Sequence, residues 1–236
     1  RVGLGHRRLA VIDTSSAANQ PMFDPSGRYV LVFNGEIYNY RQLKKELEDS
    51  CGVQFRTHSD TEVLLHACIH YGENCLEKLN GFFAFAFYDQ QKEELLIARD
   101  RLGIKPLYIF EDEDKLLFAS EMRAIIAYGI ERSIDYDSLL LYLQLNYIPA
   151  PFTILRNVRK LPPGHLISIR DNQIHERRYY ELPRSADSAS GKNYAAIKDN
   201  LLKDIERSVT DRLVADVPLG VFLSGGVDSS IITALA

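Results

Sequence analysis

Residues 224–230 read Ser-Gly-Gly-Val-Asp-Ser-Ser, a run of residue types suited to holding a phosphate. Paired glycines let backbone N–H groups turn toward an anion, and a helix that follows adds the positive end of its dipole. Ser224, Ser229 and Ser230 add hydroxyl donors. Asp228 repels a phosphate directly, but it can hold a Mg²⁺ that binds one. No lysine stands where the usual P-loop carries it. The bland alternative is a strand-to-helix turn with a serine cap. The surroundings suit the phosphate reading, because an apolar run precedes the loop and an apolar helix follows it.

Other residues carry chemistry less distinctly. By type alone, Asn34-Gly35 is a type I′ hairpin turn after the strand-like Tyr29–Phe33. Arg8 reads as a surface arginine on an edge strand, Val11 and Ile12 as core, and Glu36 as a solvated strand carboxylate. Asp60 reads as a first-turn acid favoured by a helix dipole. His66 and His70 are spaced i, i+4, which suits zinc, but no third ligand follows at a convincing spacing. Cys68 and Cys75 read as small apolar residues on a helix.

These residues need elements to position them. Asn39 caps a predicted helix over about 40–49. Ser59-x-x-Glu62 is a capping box that starts a helix running to about Leu79. Gly81–Tyr88 is apolar on both faces, with Phe83, Phe85 and Phe87 on one side and Phe82, Ala84, Ala86 and Tyr88 on the other. Such a strand must be covered on both sides. Further strands are expected at 94–98, 107–110 and 115–119, with a polar turn over 99–103. Helices are expected over 121–128, stopped by Gly129, and from Asp135 or Asp137 to Leu145. Pro149, Pro151, Pro162 and Pro163 mark an extended region. Asn193–Arg212 has helical periodicity, and Val217–Leu223 reads as a strand interrupted by Gly220.

The composition narrows the classes. The chain has 236 residues, 46% of them hydrophobic and 25% charged, as in ordinary globular domains. A formal charge of −4 gives no electrostatic reason to expect nucleic-acid or membrane-surface partners. No apolar run approaches the roughly 18 residues of a membrane span. Three cysteines (Cys51, Cys68 and Cys75) without a CxxC pair suit reduced thiols in the cytoplasm. The opening residues lack a signal-peptide pattern, and both ends read as cuts in a longer chain. The division expected is 1–181, a linker over 182–192, and a second unit over 193–236.

At residues 224–230 the chain resembles the ATP-pyrophosphatase family, which shares the Ser-Gly-Gly-x-Asp-Ser loop. Upstream it resembles the N-terminal-nucleophile glutaminase domain (class II amidotransferase) of the glutamine-hydrolysing asparagine synthase family. The matching stretches are 8–13 (RLAVID), 34–39 (NGEIYN), 59–62 (SDTE), 81–86 (GFFAFA), 99–108 (RDRLGIKPLY), 120–122 (SEM) and 161–165 (LPPGH). The resemblance covers nearly the whole chain, in family order. It implies an α+β fold: a four-layer αββα sandwich followed by the start of an α/β ATP-pyrophosphatase domain.

The resemblance also implies roles. Arg8 would pair with the α-carboxylate of glutamine, and Asp60 would accept from its α-ammonium. Leu9, Ala10, Val11, Ile12 and Glu36 would line the same site. The Asn34 side chain and the Gly35 N–H would form an oxyanion hole. Leu223, Ser224, Gly225, Gly226, Asp228 and Ser229 would bind ATP, with Mg²⁺ at Asp228. The nucleophile would be an N-terminal cysteine upstream of Arg1, a position that Cys51, Cys68 and Cys75 do not match. The implied reaction takes L-glutamine, ATP and L-aspartate, or a related carboxylate, through a β-aspartyl-adenylate to asparagine, glutamate, AMP and pyrophosphate. The fragment alone is expected to be inactive. Another carboxylate as acceptor, a glutamine-binding relic and a homodimer stay open. Sugar-phosphate and purine amidotransferases fit less well, since they lack the Ser-Gly-Gly-x-Asp-Ser loop.

Overall fold

The strand with two apolar faces organises the layers. The structure, a computed structural model, describes residues 1–183 and 193–236. After a short strand β1 (Met22–Phe23) comes β2 (Tyr29–Ile37), then helices α1 (Tyr40–Cys51), α2 (Asp60–Tyr71) and α3 (Cys75–Lys78). Strands β3 (Gly81–Asp89), β4 (Glu94–Arg99), β5 (Tyr108–Glu111) and β6 (Leu116–Ala119) follow. Next are α4 (Met122–Ala127), α5 (Tyr136–Leu145), β7 (Val158–Lys160), β8 (His165–Arg170) and β9 (Gln173–Arg178). The second unit contributes α6 (Tyr194–Asp211) and α7 (Val227–Leu235).

Two antiparallel sheets result, of order β1-β2-β3-β4-β8-β9 and β6-β5-β7. Phe83 and Phe85 of β3 join Leu31, Phe33 and Ile37 of β2 under Leu43 and Leu47 of α1 and Leu64 of α2. Ala84 and Ala86 point the other way, against Ile109 of β5 and Ile97 and Ile167 of the large sheet. The far face of the small sheet carries Phe110 and Val158 against Ile125 of α4. The order of layers is therefore helix, sheet, sheet, helix, the αββα sandwich expected. Each fully buried Leu or Phe in these layers contributes about 1.5–3 kcal/mol relative to exposure.

Several local expectations need correction. Asn34-Gly35 is not a hairpin turn, because β2 runs through it and pairs Asn34 with Ala84 and Gly35 with Phe83. Asn39 stands at the α1 N-cap but does not cap it. Its side chain donates to the Lys78 carbonyl at 2.9 Å and accepts from the Asn80 N–H at 2.9 Å, tying α1 to the loop before β3. Ser59 caps α2 by accepting from the Glu62 N–H at 3.2 Å. Glu62 does not return the bond to the Ser59 N–H; its carboxylate takes the N–H groups of Arg56 and Thr57 instead. The helix expected to reach Leu79 breaks at Gly72, which sits at φ +56°.

Val217–Leu223 is not a strand. It has no ladder partner among the described residues, and Phe222 is wholly exposed. A strand exists only through its neighbour's hydrogen bonds, so an apolar pattern alone does not make one. The expected linker falls mainly on 184–192, outside the described residues. Among the described residues no helix is long and apolar enough to cross a membrane.

Candidate functional site

The site forms along the outer edge of β2. The backbone N–H and C=O groups of successive residues in a strand point to opposite edges. Phe33 directs both of its groups outward, its N–H donating to Gln20 Oε1 at 2.6 Å and its C=O accepting from Gln20 Nε2 at 3.1 Å. The Ile37 N–H also points outward, to Asp60 Oδ2 at 3.1 Å. Gly35 lies between them, so its N–H faces the same edge. Strand β1 covers only Val30 and Leu31 of that edge, and Gly35 lies beyond it. No other residue type fits there: a Cβ would stand 2.1 Å from the Phe82 carbonyl oxygen and 2.8 Å from Phe83 Cα. Beside Gly35, Asn34 Nδ2 donates to Ser120 Oγ at 3.1 Å, which leaves its second amide hydrogen for another acceptor. A free backbone N–H next to an oriented amide is the arrangement an oxyanion hole requires.

Arg8 organises the facing loop. It is half-buried and lies outside any strand, which corrects the edge-strand reading. Its Nη2 donates to the carbonyls of Ile12 (2.7 Å) and Asp13 (2.5 Å), and its Nη1 to that of Ser15 (3.1 Å). Three of the roughly five donors of a guanidinium are thus spent on one turn of backbone. Ile12 is buried in the main core, Val11 packs against it, and Leu9 points into solvent with 88% exposed.

Asp60, the first residue of α2, is 5% exposed. Burial pushes its carboxyl up to about 6, and the Glu36 carboxylate adds to the rise. The Ile37 N–H, the Thr61 N–H and the Arg8 guanidinium pull the other way, and burial wins. Glu36 is raised too, chiefly by burial, with Lys105 opposing. It is not the solvated carboxylate its type suggests. Arg8, Glu36 and Asp60 therefore lie near enough for their charges to act on one another, and Asn34 and Gly35 precede Glu36 on the same stretch of β2. The group carries one fixed cation and two carboxyls whose ionisation the surroundings disfavour. A zwitterionic amino acid matches that arrangement, its carboxylate toward Arg8 and its ammonium toward Asp60.

Three contributors fall outside the site residues that the resemblance implies, though Ser120 and Lys105 lie within its matching stretches 120–122 and 99–108. Ser120 orients Asn34. Gln20 holds both backbone groups of Phe33. Lys105 lies 4.7 Å over the Phe82 ring and acts on Glu36. The polar turn that presents Lys105 is tied by hydrogen bonds from within. Buried Asp100 accepts from the N–H groups of Leu102, Ile104, Lys105 and Phe83. Arg99 donates to the carbonyls of Gly103, Lys105 and Leu161. The stretch 99–108 thus has a structural explanation.

The second group of predicted residues lies at the start of α7. Gly226 is its N-cap, Asp228 is in its first turn, and Gly225 sits at φ +85°, which a side chain rarely permits. Ser224 and Ser229 hydroxyls meet at 3.0 Å, and Ser230 Oγ donates to the Gly226 carbonyl at 2.8 Å. The loop is exposed and so is Leu223 before it, so the helix N–H groups are open to an anion. The donor set suits a phosphate chain with a divalent cation at Asp228.

The remaining thiols and imidazoles stand apart. Cys68 and Cys75 are buried with their sulfurs 3.7 Å apart, and burial pushes the Cys68 thiol well up, which leaves it inert. Both behave as the small apolar helix residues expected. The rings of His66 and His70 stack at 6.3 Å, and no group of three His, Cys, Asp or Glu side chains gathers for a metal among the described residues.

With this geometry in place, comparison with known proteins gives the class. Residues 1–180 match the family described as a glutamine amidotransferase domain, and the chain belongs to it. Residues 200–236 match the asparagine synthase family. The chain is 39% identical to asparagine synthetase (glutamine-hydrolyzing) 1 of Bacillus subtilis strain 168, over 100% of this chain and 37% of that protein. It is 36% identical to Amidase chry2 of Gibberella zeae, over 99% of this chain and 34% of that protein. It thus spans well under half the length of these relatives. Among solved structures, a Bacillus subtilis glutamine phosphoribosylpyrophosphate amidotransferase superposes with a TM-score of 0.55 at 22% identity, over 97% of this chain and 48% of the other, a likeness of fold.

Proposed function

We propose that these residues belong to a cytoplasmic, ATP-dependent amidotransferase. It hydrolyses L-glutamine at the β2 edge and transfers the ammonia to a carboxylate activated at the Ser224–Ser230 loop, with L-aspartate as acceptor and asparagine as product. The observation that carries the reading is the outward Gly35 N–H beside the oriented Asn34 amide, with Asp60 bonded to the same strand two residues on and Arg8 near enough to act on its charge. The likeness to asparagine synthetases supports the choice of acceptor. The thiol nucleophile comes from a cysteine outside these residues. ATP with Mg²⁺ supplies the activation, by way of a β-aspartyl-adenylate and release of pyrophosphate.

In this reading Arg8 holds the α-carboxylate and Asp60 the α-ammonium, which aims the amide carbonyl at Asn34 and Gly35. As the nucleophile adds, negative charge grows on the carbonyl oxygen. The Asn34 amide and the Gly35 N–H are already aimed at it, so little reorganisation remains. Gln20 keeps the strand edge straight, and Ser120 keeps the Asn34 amide turned.

Two substitutions in the full-length protein test the halves separately. Arg8→Ala should lower kcat/KM for glutamine roughly 30-fold or more and spare synthesis from free ammonia. An equal fall in both rates would make Arg8 structural. Asp228→Ala should remove pyrophosphate release and leave glutamine hydrolysis measurable. Unchanged pyrophosphate release would sink the assignment of the 224–230 loop.

A second reading keeps the chemistry and changes the acceptor, favoured by the likeness to a protein called an amidase. Product analysis with a panel of carboxylates separates the two readings.

A further inference from the structure

The segment after α6 reaches back to the loop that cages Arg8. Arg212 lies 4.6 Å over the Tyr38 ring, and Val214 packs against the main core. Asp216 then makes two bonds to the loop. Its N–H donates to the Val11 carbonyl at 3.0 Å, and its Oδ2 accepts from the Asp13 N–H at 2.7 Å. Asp216 is itself exposed, so each bond competes with water, and holding the loop at two points is what gives the contact its grip.

Asp13 is a residue that needs holding. It sits at φ +52°, in the left-handed region that non-glycine residues seldom occupy. Its carbonyl and that of Ile12 accept from Arg8. Its carboxylate accepts from the Ser15 N–H at 3.1 Å, the Ser15 hydroxyl at 2.6 Å and the His58 N–H at 2.8 Å. The remaining polar group, its own N–H, goes to Asp216. The residue that shapes the Arg8 cage is therefore gripped from one side by Arg8 and from the other by a carboxylate far along the chain.

We propose that Asp216 is a positioning residue of the glutamine pocket. The pocket is then completed by the segment leading into the Ser224–Ser230 loop, and it is not self-contained within residues 1–180. The proposal rests on the reading of Arg8 as the partner of the glutamine carboxylate. Asp216 touches no substrate in this account. It acts through Asp13 on the direction of the Arg8 guanidinium.

The test uses the full-length protein with Asp216→Ala and Asp216→Asn. Asparagine keeps an oxygen acceptor for the Asp13 N–H, and alanine removes it. Asp216→Ala should raise KM for glutamine about tenfold, the upper scale of one intramolecular hydrogen bond, with kcat and ammonia-dependent synthesis little changed. Asp216→Asn should recover most of the loss. An unchanged KM, or an equal fall of glutamine- and ammonia-dependent rates, would overturn the proposal.

Amide hydrogen exchange over residues 11–15, without substrate, reads the contact independently of activity. The Asp13 amide should exchange about tenfold faster in Asp216→Ala and near the parent rate in Asp216→Asn. Equal rates in all three proteins would overturn the proposal. If the parent protein fails to hydrolyse glutamine, the functional reading falls, and the exchange experiment still decides whether Asp216 holds the loop.

Discussion

Asp60→Asn should stabilise the protein at pH 8 while disabling its glutamine site. The Asp60 carboxyl is raised from 3.8 to about 6, first by burial. A carboxyl whose pKa is higher in the folded state is a carboxylate the fold disfavours. The sign follows: stability is lost as pH rises from the unfolded value through about 6, and the loss is complete above it. The ionised group costs about 3 kcal/mol at pH 8, for a shift of about two units. Asparagine keeps an oxygen for the Ile37 N–H and carries no charge, so it relieves that cost. Denaturant unfolding at pH 8 should show the full gain, at pH 5 about half of it, and below about pH 3.5 it should largely vanish. The same substitution removes the partner of the substrate ammonium. Glutamine KM should rise roughly one hundred- to one thousand-fold, as when one member of a buried ion pair is deleted. In the parent protein, glutamine KM should rise as pH falls through about 6, when Asp60 takes up a proton. Lower stability at pH 8 with an unchanged KM would contradict the assignment.

Asn34→Ala should act on kcat and spare KM. The Asn34 amide is aimed at charge that exists only in the transition state, so the substrate gains little from it before reaction. Removing one oxyanion donor should lower the rate of glutamine hydrolysis roughly one hundred- to one thousand-fold. Stability should fall by only about 1 kcal/mol, because one partly buried hydrogen bond to Ser120 is lost. Ser120→Ala tests the same point from outside the pocket: the amide remains but is no longer held, and about a tenth of the rate should survive. Ammonia-dependent synthesis should be unchanged in both variants. A fall in KM-dependent binding alone would place Asn34 among the substrate contacts instead.

The contrast between these residues explains what the sequence could and could not reveal. The two faces of β3 were legible, because strict alternation of Phe with Ala has one physical solution, two covered sides. The cap at Ser59 was legible for a similar reason, since its partner Glu62 is three residues away. Asn34-Gly35 was not legible as strand. The local preference for a turn is real, and it is overruled by pairing with Phe83, nearly fifty positions away. Strand β9 is not legible because it is an edge strand with every residue exposed, and nothing in its composition marks a buried face. The Val217–Leu223 run fails in the opposite sense, as an apolar pattern with no neighbour to pair with among the described residues.

For the site, resemblance supplied the residues and the structure supplied their energetics. Arg8 is bonded to the backbone of its own loop, not standing free at an edge. The raised Asp60 carboxyl depends on burial beneath β2 and on Glu36, neither of which spacing reveals. Gln20 has an ordinary type at an unremarkable position, and Ser120 and Lys105 lie in stretches that match the family without a role attached to either. Their importance lies in the single atoms they orient.

The most direct measurement follows the amide nitrogen itself. L-Glutamine labelled with ¹⁵N at the side-chain amide would be supplied to the full-length protein with L-aspartate, ATP and Mg²⁺, and the products read by mass spectrometry. The account predicts label in the side-chain amide of asparagine, with glutamate, AMP and pyrophosphate formed alongside. Label remaining in glutamine, with no glutamate released, would contradict it.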